Sequence, residues 1–359
     1  MQQTSATAAP DVEPVRAAFR FDEERLAQWL HANVDSRAGP LQVRQFKGGQ
    51  SNPTYRVDTG SASYVLRRKP PGDLLKGAHA IDREYRVLAA LHAAGFPVPR
   101  VHGLCIDRGV VGTEFYVMDC IEGRVFWNPR LPELAASERS AYFDAMNETI
   151  ARLHTLDPAA VGLADYGRAG GYFARQIARW SKQYLDDALA GRDPCMDKLV
   201  DWLPQHVPEG DETAISHGDF RCDNMIFHPS EPRVLAVLDW ELSTLGHPLA
   251  DFSYHAMMYR LPQSIMTGLQ GEDLQALGLP TEDAYVAAYC ARTGRAGIPN
   301  YAFYIAFNMF RLAAILHGIK GRLLRGTASS GRAAEMAANV EPLAQLAWQQ
   351  AQLAMSEAH

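Results

Sequence analysis

The chain has 359 residues, 47% of them apolar and 21% charged, with 35 Lys and Arg against 41 Asp and Glu for a net charge of −6. That composition excludes disorder throughout, supplies a sizeable core, and suits two domains or one large two-lobed one. The acidic balance argues against general nucleic-acid binding, which needs a basic surface to displace counterions, and no uninterrupted apolar run approaches the ~18 residues of a membrane span.

Residues 1–20 read as a flexible tail, polar and Ala-rich over the first ten. From Asp22, a natural N-cap, FDEERLAQWLHANV places Leu26, Trp29 and Leu30 on one helical face. The period then changes to two. LQVRQF, PTYRVD and ASYVLRRK alternate like strands between the Gly48-Gly49 and Thr59-Gly60-Ser61 turns, so Leu41 to Lys69 reads as a three-stranded antiparallel meander. His79 to Ala94 returns to helical spacing and stops at Gly95. RVHGLCI and TEFYVMDCI add two strands, giving a lobe over 21–118 of about five strands with one inserted helix. A short hinge follows at 119–123, then a mostly helical lobe over 124–359. Helices are expected at Ser137–Leu156, Tyr172–Ala190, Met196–His206, Leu249–Arg260, Thr281–Thr293, Pro299–Arg325 and Arg332–Met355, with short strands within Ala214–Leu238. The class is α+β.

The N-terminus lacks the basic start and apolar stretch of a signal peptide. The five cysteines, Cys105, Cys120, Cys195, Cys222 and Cys290, are odd in number and never CxxC, against a disulfide framework or a structural zinc site. A cytoplasmic protein with reduced thiols and no membrane or nucleic-acid partner is expected.

The most informative stretch is ISHGDFRCDNMIFHP followed by VLAVLDWELSTLGHPLADFS. Its apolar runs MIF and VLAVL form a hairpin pattern, with Asp219 and Asn224 before it and Asp239 at its end. Two carboxylates and an amide at one end of a small sheet are hard oxygen ligands suited to Mg²⁺. A glycine turn lies upstream: FKGGQSNPTYRV sets Gly48, Gly49, Gln50, Ser51 and Asn52 between two strands, where glycine permits close backbone approach to phosphate.

The spacing HxDxxxxN, then an aspartate after a strand, resembles the core of the protein-kinase-like superfamily, in its aminoglycoside-phosphotransferase and choline-kinase branch, which writes HGD. The resemblance implies ATP and Mg²⁺ as cofactors and a bilobed protein-kinase-like fold. It makes Asp219 the catalytic aspartate, Arg221 a contact to the transferred phosphoryl group, Asn224 and Asp239 the metal ligands, and His217 and Asp251 structural. Gly49, Ser51 and Asn52 fall to the phosphate loop. Tyr64-Val65-Leu66-Arg67 stands where kinases carry a strand lysine; alternation pairs Val65, for the adenine pocket, with Arg67, for phosphate, although Arg68 and Lys69 compete. Glu84 is the expected carboxylate partner. Met118 takes the gatekeeper position, and Asp119 to Ile121 offer backbone groups to a purine.

Longer blocks, including YVLRRKPPGDLL, HAIDREYRVL and GTEFYVMDCIEGRVF, resemble the phosphotransferase domain fused to, or encoded alongside, acyl-CoA dehydrogenases, from about Phe46 to Ser253. That likeness implies a stand-alone kinase for a hydroxyl acceptor such as 4-hydroxyacyl-CoA, with a functional link to an acyl-CoA dehydrogenase. The alternatives are a kinase for an aminoglycoside, choline or amino alcohol, or an inactive nucleotide-binding scaffold. Charge placement bears on the acceptor. Between Asp283 and Glu335 there is no carboxylate, yet Arg292, Arg295, Arg311, Lys320, Arg322, Arg325 and Arg332 occur. Helical projection puts Arg311, Arg322 and Arg325 on one face beside Gly318, a candidate cradle for CoA phosphates if not a solvated or salt-bridged face.

Overall fold

The computed structural model describes residues 12–47, 52–72, 80–328 and 331–357. The chain opens with β1 (Val12–Pro14), α1 (Glu23–Asn33), β2 (Gln42–Phe46), β3 (Thr54–Asp58), β4 (Ser63–Arg68), α2 (Ile81–Ala93), β5 (Val101–Cys105), α3 (Arg108–Val111) and β6 (Phe115–Asp119). After α4 (Ala136–Thr155), α5 (Tyr172–Asp186), α6 (Pro194–Trp202) and β7 (Ala214–Ser216) come β8 (Met225–Phe227), β9 (Val234–Val237) and β10 (Thr244–Gly246). The remainder is helical: α7 (Pro248–Ala256), α8 (Leu274–Leu277), α9 (Glu282–Thr293), α10 (Tyr301–Leu324), α11 (Ala333–Ala338) and α12 (Val340–Glu357).

Two compact units result, each assembled from separate stretches of chain. The first runs through Phe126 and adds Ala159–Tyr166 and Asp223–Ser243; the second holds Trp127–Pro158, Gly167–Cys222 and Thr244–His359. The β8–β9 hairpin therefore belongs with the N-terminal sheet rather than with the helices that flank it in sequence.

The first unit is built on a six-stranded antiparallel sheet in the order β1-β2-β3-β4-β6-β5. The expected meander is β2-β3-β4, with Tyr55 opposite Leu66 and Val57 opposite Tyr64. These four side chains join Leu26 and Leu30 of α1, Phe115 and Val117 in one buried cluster. Full burial of each aliphatic side chain contributes about 1.5–3 kcal/mol. Asp22 caps α1 as its position suggests, accepting from the Glu24 and Arg25 amides at 3.0 Å each.

Two expectations change. Part of the tail expected at 1–20 is a strand, since β1 pairs with β2 in the register Val12 to Phe46 and Pro14 to Arg44, while residues 1–11 lie outside the described residues. Three residues ending in proline carry no strand periodicity, and proline is admissible there because β1 is an edge. The single helix expected at Arg332–Met355 is two, α11 and α12, separated by Asn339. Pro342, without an N–H, sits in the first turn of α12, where no partner is needed, and could not continue a helix from α11.

In the second unit α10 is the central element, packed by α5, α7, α11 and α12. Phe173 of α5 meets Phe303 and Phe307 of α10 edge to face, with ring centroids 5.6 and 5.0 Å apart. By length and composition α10 would qualify as a membrane span, yet 89% of its most apolar window is buried inside this unit. Its hydrophobicity on every side is that of a central core helix.

Gly123 couples the segment after β6 to the β8–β9 hairpin. Arg124 and Phe227 exchange backbone hydrogen bonds of 2.8 Å in both directions, and a Cβ on Gly123 would lie 2.3 Å from the Phe227 carbonyl oxygen and 2.5 Å from Ile226 Cγ2. Gly123→Ala should therefore destabilise the first unit by about 2 kcal/mol. Urea unfolding should show a lower midpoint at unchanged slope.

Candidate active site

In the first unit, alternation separates Arg67 from Arg68, and an ion pair takes up Lys69. Val65 and Arg67 lie on one face of β4, opposite Met118 and Tyr116 of β6. Arg68 points to the other face, where it donates to Tyr55 Oη at 3.1 Å and to the carbonyls of Val111 and Phe19. Lys69 pairs with Glu114. Of the three, Arg67 is the one within β4 that shares the Val65 face.

Arg67 is buried, and three carboxylates surround its guanidinium. Nε lies 2.8 Å from Glu84 Oε2, while Nη2 lies 2.9 Å from Asp239 Oδ1 and 3.2 Å from Glu241 Oε2. Burial alone would lower the pKa of Arg67, but Glu84 and the other two anions outweigh it and raise the group above its ordinary value. Burial likewise pushes the Glu84 carboxyl above its ordinary value, and Arg67 draws it back. Glu84 also accepts from Tyr116 Oη at 3.1 Å and from Asn52 Nδ2 at 2.9 Å. Asn52, expected in the phosphate loop, is fully buried and fixes this carboxylate instead. Gly49 and Ser51 lie outside the described residues.

Met118 shares the face of Val65, while the Asp119 carboxylate is 2.6 Å from His102 Nε2 and its amide donates to the Arg100 carbonyl at 2.9 Å. Ile121 follows in the segment leading to Gly123. Asn224 and Asp239 flank the paired residues Met225 and Val237 at the mouth of the hairpin, where the Leu238 amide donates to the Asn224 carbonyl at 2.8 Å. Asp239 has φ 63° and ψ 62°, a left-handed conformation uncommon outside glycine that turns the chain sharply after β9.

In the second unit the HGD loop follows β7 and is clamped from two sides. The buried Asp251 of α7 accepts from the His217 amide through Oδ2 at 2.7 Å and from the Gly218 amide through Oδ1 at 2.8 Å. His154 Nε2 lies 3.2 Å from Oδ2. Arg311 of α10 donates to the Gly218 carbonyl at 2.9 Å. Gly218 has φ 86°, which an L side chain would resist. Asp219 projects from this loop and accepts from Tyr254 Oη at 2.6 Å, with Arg221 Nε 3.6 Å from the same carboxylate oxygen.

The family follows from sequence comparison. The model of the phosphotransferase enzyme family matches residues 42–304. The chain belongs to that family. Its α+β architecture agrees with solved relatives. A Ralstonia eutropha structure, named as a candidate aminoglycoside phosphotransferase, is 49% identical with a TM-score of 0.86, covering 93% of this chain and 99% of that one. Mouse acyl-CoA dehydrogenase family member 10 is 44% identical over 342 residues, covering 94% of this chain. The chain spans only 32% of that relative's length and 44% of others matched. An aminoglycoside phosphotransferase solved with ADP and hygromycin B, 14% identical, shares the fold at a TM-score of 0.59, over 90% of this chain and 98% of its own.

The basic face expected of α10 is not a free cradle. Arg311 is buried and committed to the HGD loop, and Arg325 pairs with Asp187 at 2.8 Å through both Nη atoms. Arg292 and Arg295 likewise pair with Asp144 and Glu212. The shared face also extends along the axis: eleven residues at ~1.5 Å each separate Arg311 from Arg322 by about 16 Å. Of the three, only Arg322 is exposed with no carboxylate contact among the described residues.

Tyr254, Tyr116 and the role of Arg311 escaped the sequence reading. Only Tyr254 left a signal, since it stands three residues after Asp251, on the same helical face.

Burial pushes the Asp251 carboxyl up, but the hydrogen bonds to His154 and the Gly218 amide leave it below its ordinary 3.8. The stability this supplies is complete above that value and is lost as pH falls through the lower folded one. Asp251→Asn turns an amide N–H toward a backbone donor. It should cost about 2 kcal/mol at pH 7 and flatten the acid limb of the Tm-against-pH curve.

Proposed function

We propose that the chain is a Mg²⁺-dependent kinase that moves the γ-phosphoryl group of ATP to the hydroxyl of a small acceptor, and that the acceptor is a hydroxyacyl-CoA, tested first as 4-hydroxyacyl-CoA. The observation that carries the kinase reading is the Arg67–Glu84 pair at 2.8 Å with Asp239 on the same guanidinium. A buried cation poised between a helix carboxylate and the carboxylate after β9 is what a triphosphate with its metal requires on one side. ADP in a structural relative supports the nucleotide.

The residues present suit both ligands. Asn224 and Asp239 are hard oxygen donors at one hairpin mouth, and among the described residues no group of three or more His, Cys, Asp or Glu could hold an ion by itself. That is the donor set of Mg²⁺, which draws its remaining ligands from phosphate and water. When bound, the ion neutralises developing phosphate charge. On the protein side, Val65 and Met118 offer an apolar floor to the base, and Arg67 donates to phosphate oxygens. Asp219 orients the acceptor hydroxyl and takes its proton as that oxygen bonds to the γ-phosphorus and the bond to ADP breaks. Arg221 stabilises the transferred group. Catalysis of this kind is chiefly positioning and charge neutralisation.

The acceptor class rests on the names of relatives, which are acyl-CoA dehydrogenase family members. Asp219→Asn should lower turnover by at least about 100-fold while preserving the thermal shift produced by Mg-ATP. Mass spectrometry should show 4-hydroxyacyl-CoA, and not choline or hygromycin B, gaining one phosphoryl group. Wild-type turnover in Asp219→Asn would defeat the mechanism; a gain on choline or hygromycin B alone would reassign the acceptor.

A further inference from the structure

The α7 helix does more than hold the HGD loop by its backbone. Asp251 takes the two amides of His217 and Gly218, and one helical turn later Tyr254 reaches the side chain of Asp219 at 2.6 Å. A carboxylate rotates about Cβ–Cγ with a broad, roughly two-fold preference, so backbone anchoring alone does not set its plane. A short hydrogen bond from a fixed donor does. Tyr254 is such a donor: its residue is 8% exposed, and the Arg311 guanidinium lies 5.2 Å from its ring centroid. Arg311 in turn holds the Gly218 carbonyl at 2.9 Å. Ring, guanidinium and loop thus form one closed unit around Asp219.

We propose that Tyr254 is a positioning residue, which fixes the carboxylate plane of Asp219 for the acceptor hydroxyl. This rests on the reading of Asp219 as the group that orients that hydroxyl and takes its proton. Burial, with the Asp219 charge beside it, pushes the Tyr254 phenol far above its ordinary value, so it donates at any working pH. It neither takes the acceptor proton nor touches phosphate. Its effect lies in the orientation of Asp219, and orientation is where a phosphoryl-transfer enzyme gains much of its rate.

The test is a double-mutant cycle on the full chain with Mg-ATP, read as the ADP formed when water takes the γ-phosphoryl group, together with thermal unfolding. Tyr254→Phe keeps the ring and the Arg311 contact and removes only the donor. It should lower kcat about tenfold, leave the KM for ATP within about twofold, and leave Tm unchanged. In an Asp219→Ala background, where the acceptor of the hydrogen bond is gone, Tyr254→Phe should cause no further loss. A Tyr254→Phe enzyme with wild-type kcat overturns the proposal. So does an equal loss in both backgrounds, or a protein that fails to fold, since each assigns Tyr254 to packing alone. Wild-type turnover in Asp219→Ala defeats the reading of Asp219 itself, whereas an inactive Asp219→Ala beside a fully active Tyr254→Phe defeats only the proposal.

Discussion

A carboxylate buried as deeply as Asp251 must be met by donors or lose its charge, and the second unit is arranged around meeting it. Two backbone amides of the HGD loop supply directed hydrogen bonds, with His154 alongside. The consequence runs both ways. The amides satisfy the anion, and the anion forces the loop into the one path that presents both amides to a single side chain. Gly218 makes that path possible through its positive φ, and Arg311 closes the far side of the same peptide. The shape of the loop is thus set by electrostatics inside a hydrophobic unit, where unpaired groups are costly.

The first unit solves the complementary problem, a buried cation. Arg67 is ion-paired with Glu84, Asp239 and Glu241, and Glu84 is held in turn by Tyr116 and Asn52. Removing any one carboxylate would leave the guanidinium charged and less well paired. Such a network fixes geometry more than it adds stability, because desolvation offsets much of the Coulomb attraction. Its use is positional: α2, β4, β6 and the turn after β9 are brought to a single point.

Much of this was legible in the sequence, but unevenly. Period-two runs placed β2, β3 and β4, and the same alternation separated Arg67 from Arg68. Asp22 and Gly95 marked helix ends at the residues where the structure ends them. β1 was invisible, because three edge residues have neither periodicity nor a hydrophobic face. The partners of α10 were invisible for a different reason. Arg311 meets a carbonyl 93 residues earlier in the chain, and the carboxylates paired with Arg292, Arg295 and Arg325 come from α4, the segment before β7 and the end of α5. A gap of carboxylates along the sequence therefore did not mean a gap in space. The Arg67–Glu84 pair was anticipated only through family resemblance, since no local pattern links a strand arginine to one helix glutamate among several.

The departure at Arg67 from the lysine of related kinases follows from the same geometry. An ammonium is a point donor at the end of a flexible stem, and its charge is readily lost on burial. A guanidinium presents separate N–H groups along a rigid plane. In this chain those groups are divided, Nε facing Glu84 and Nη2 facing Asp239 and Glu241. One side chain therefore connects the helix carboxylate to the carboxylate after β9 while remaining charged in a buried setting. The substitution preserves the pairing that a strand cation exists to make, and on that ground it gives no support to an inactive scaffold.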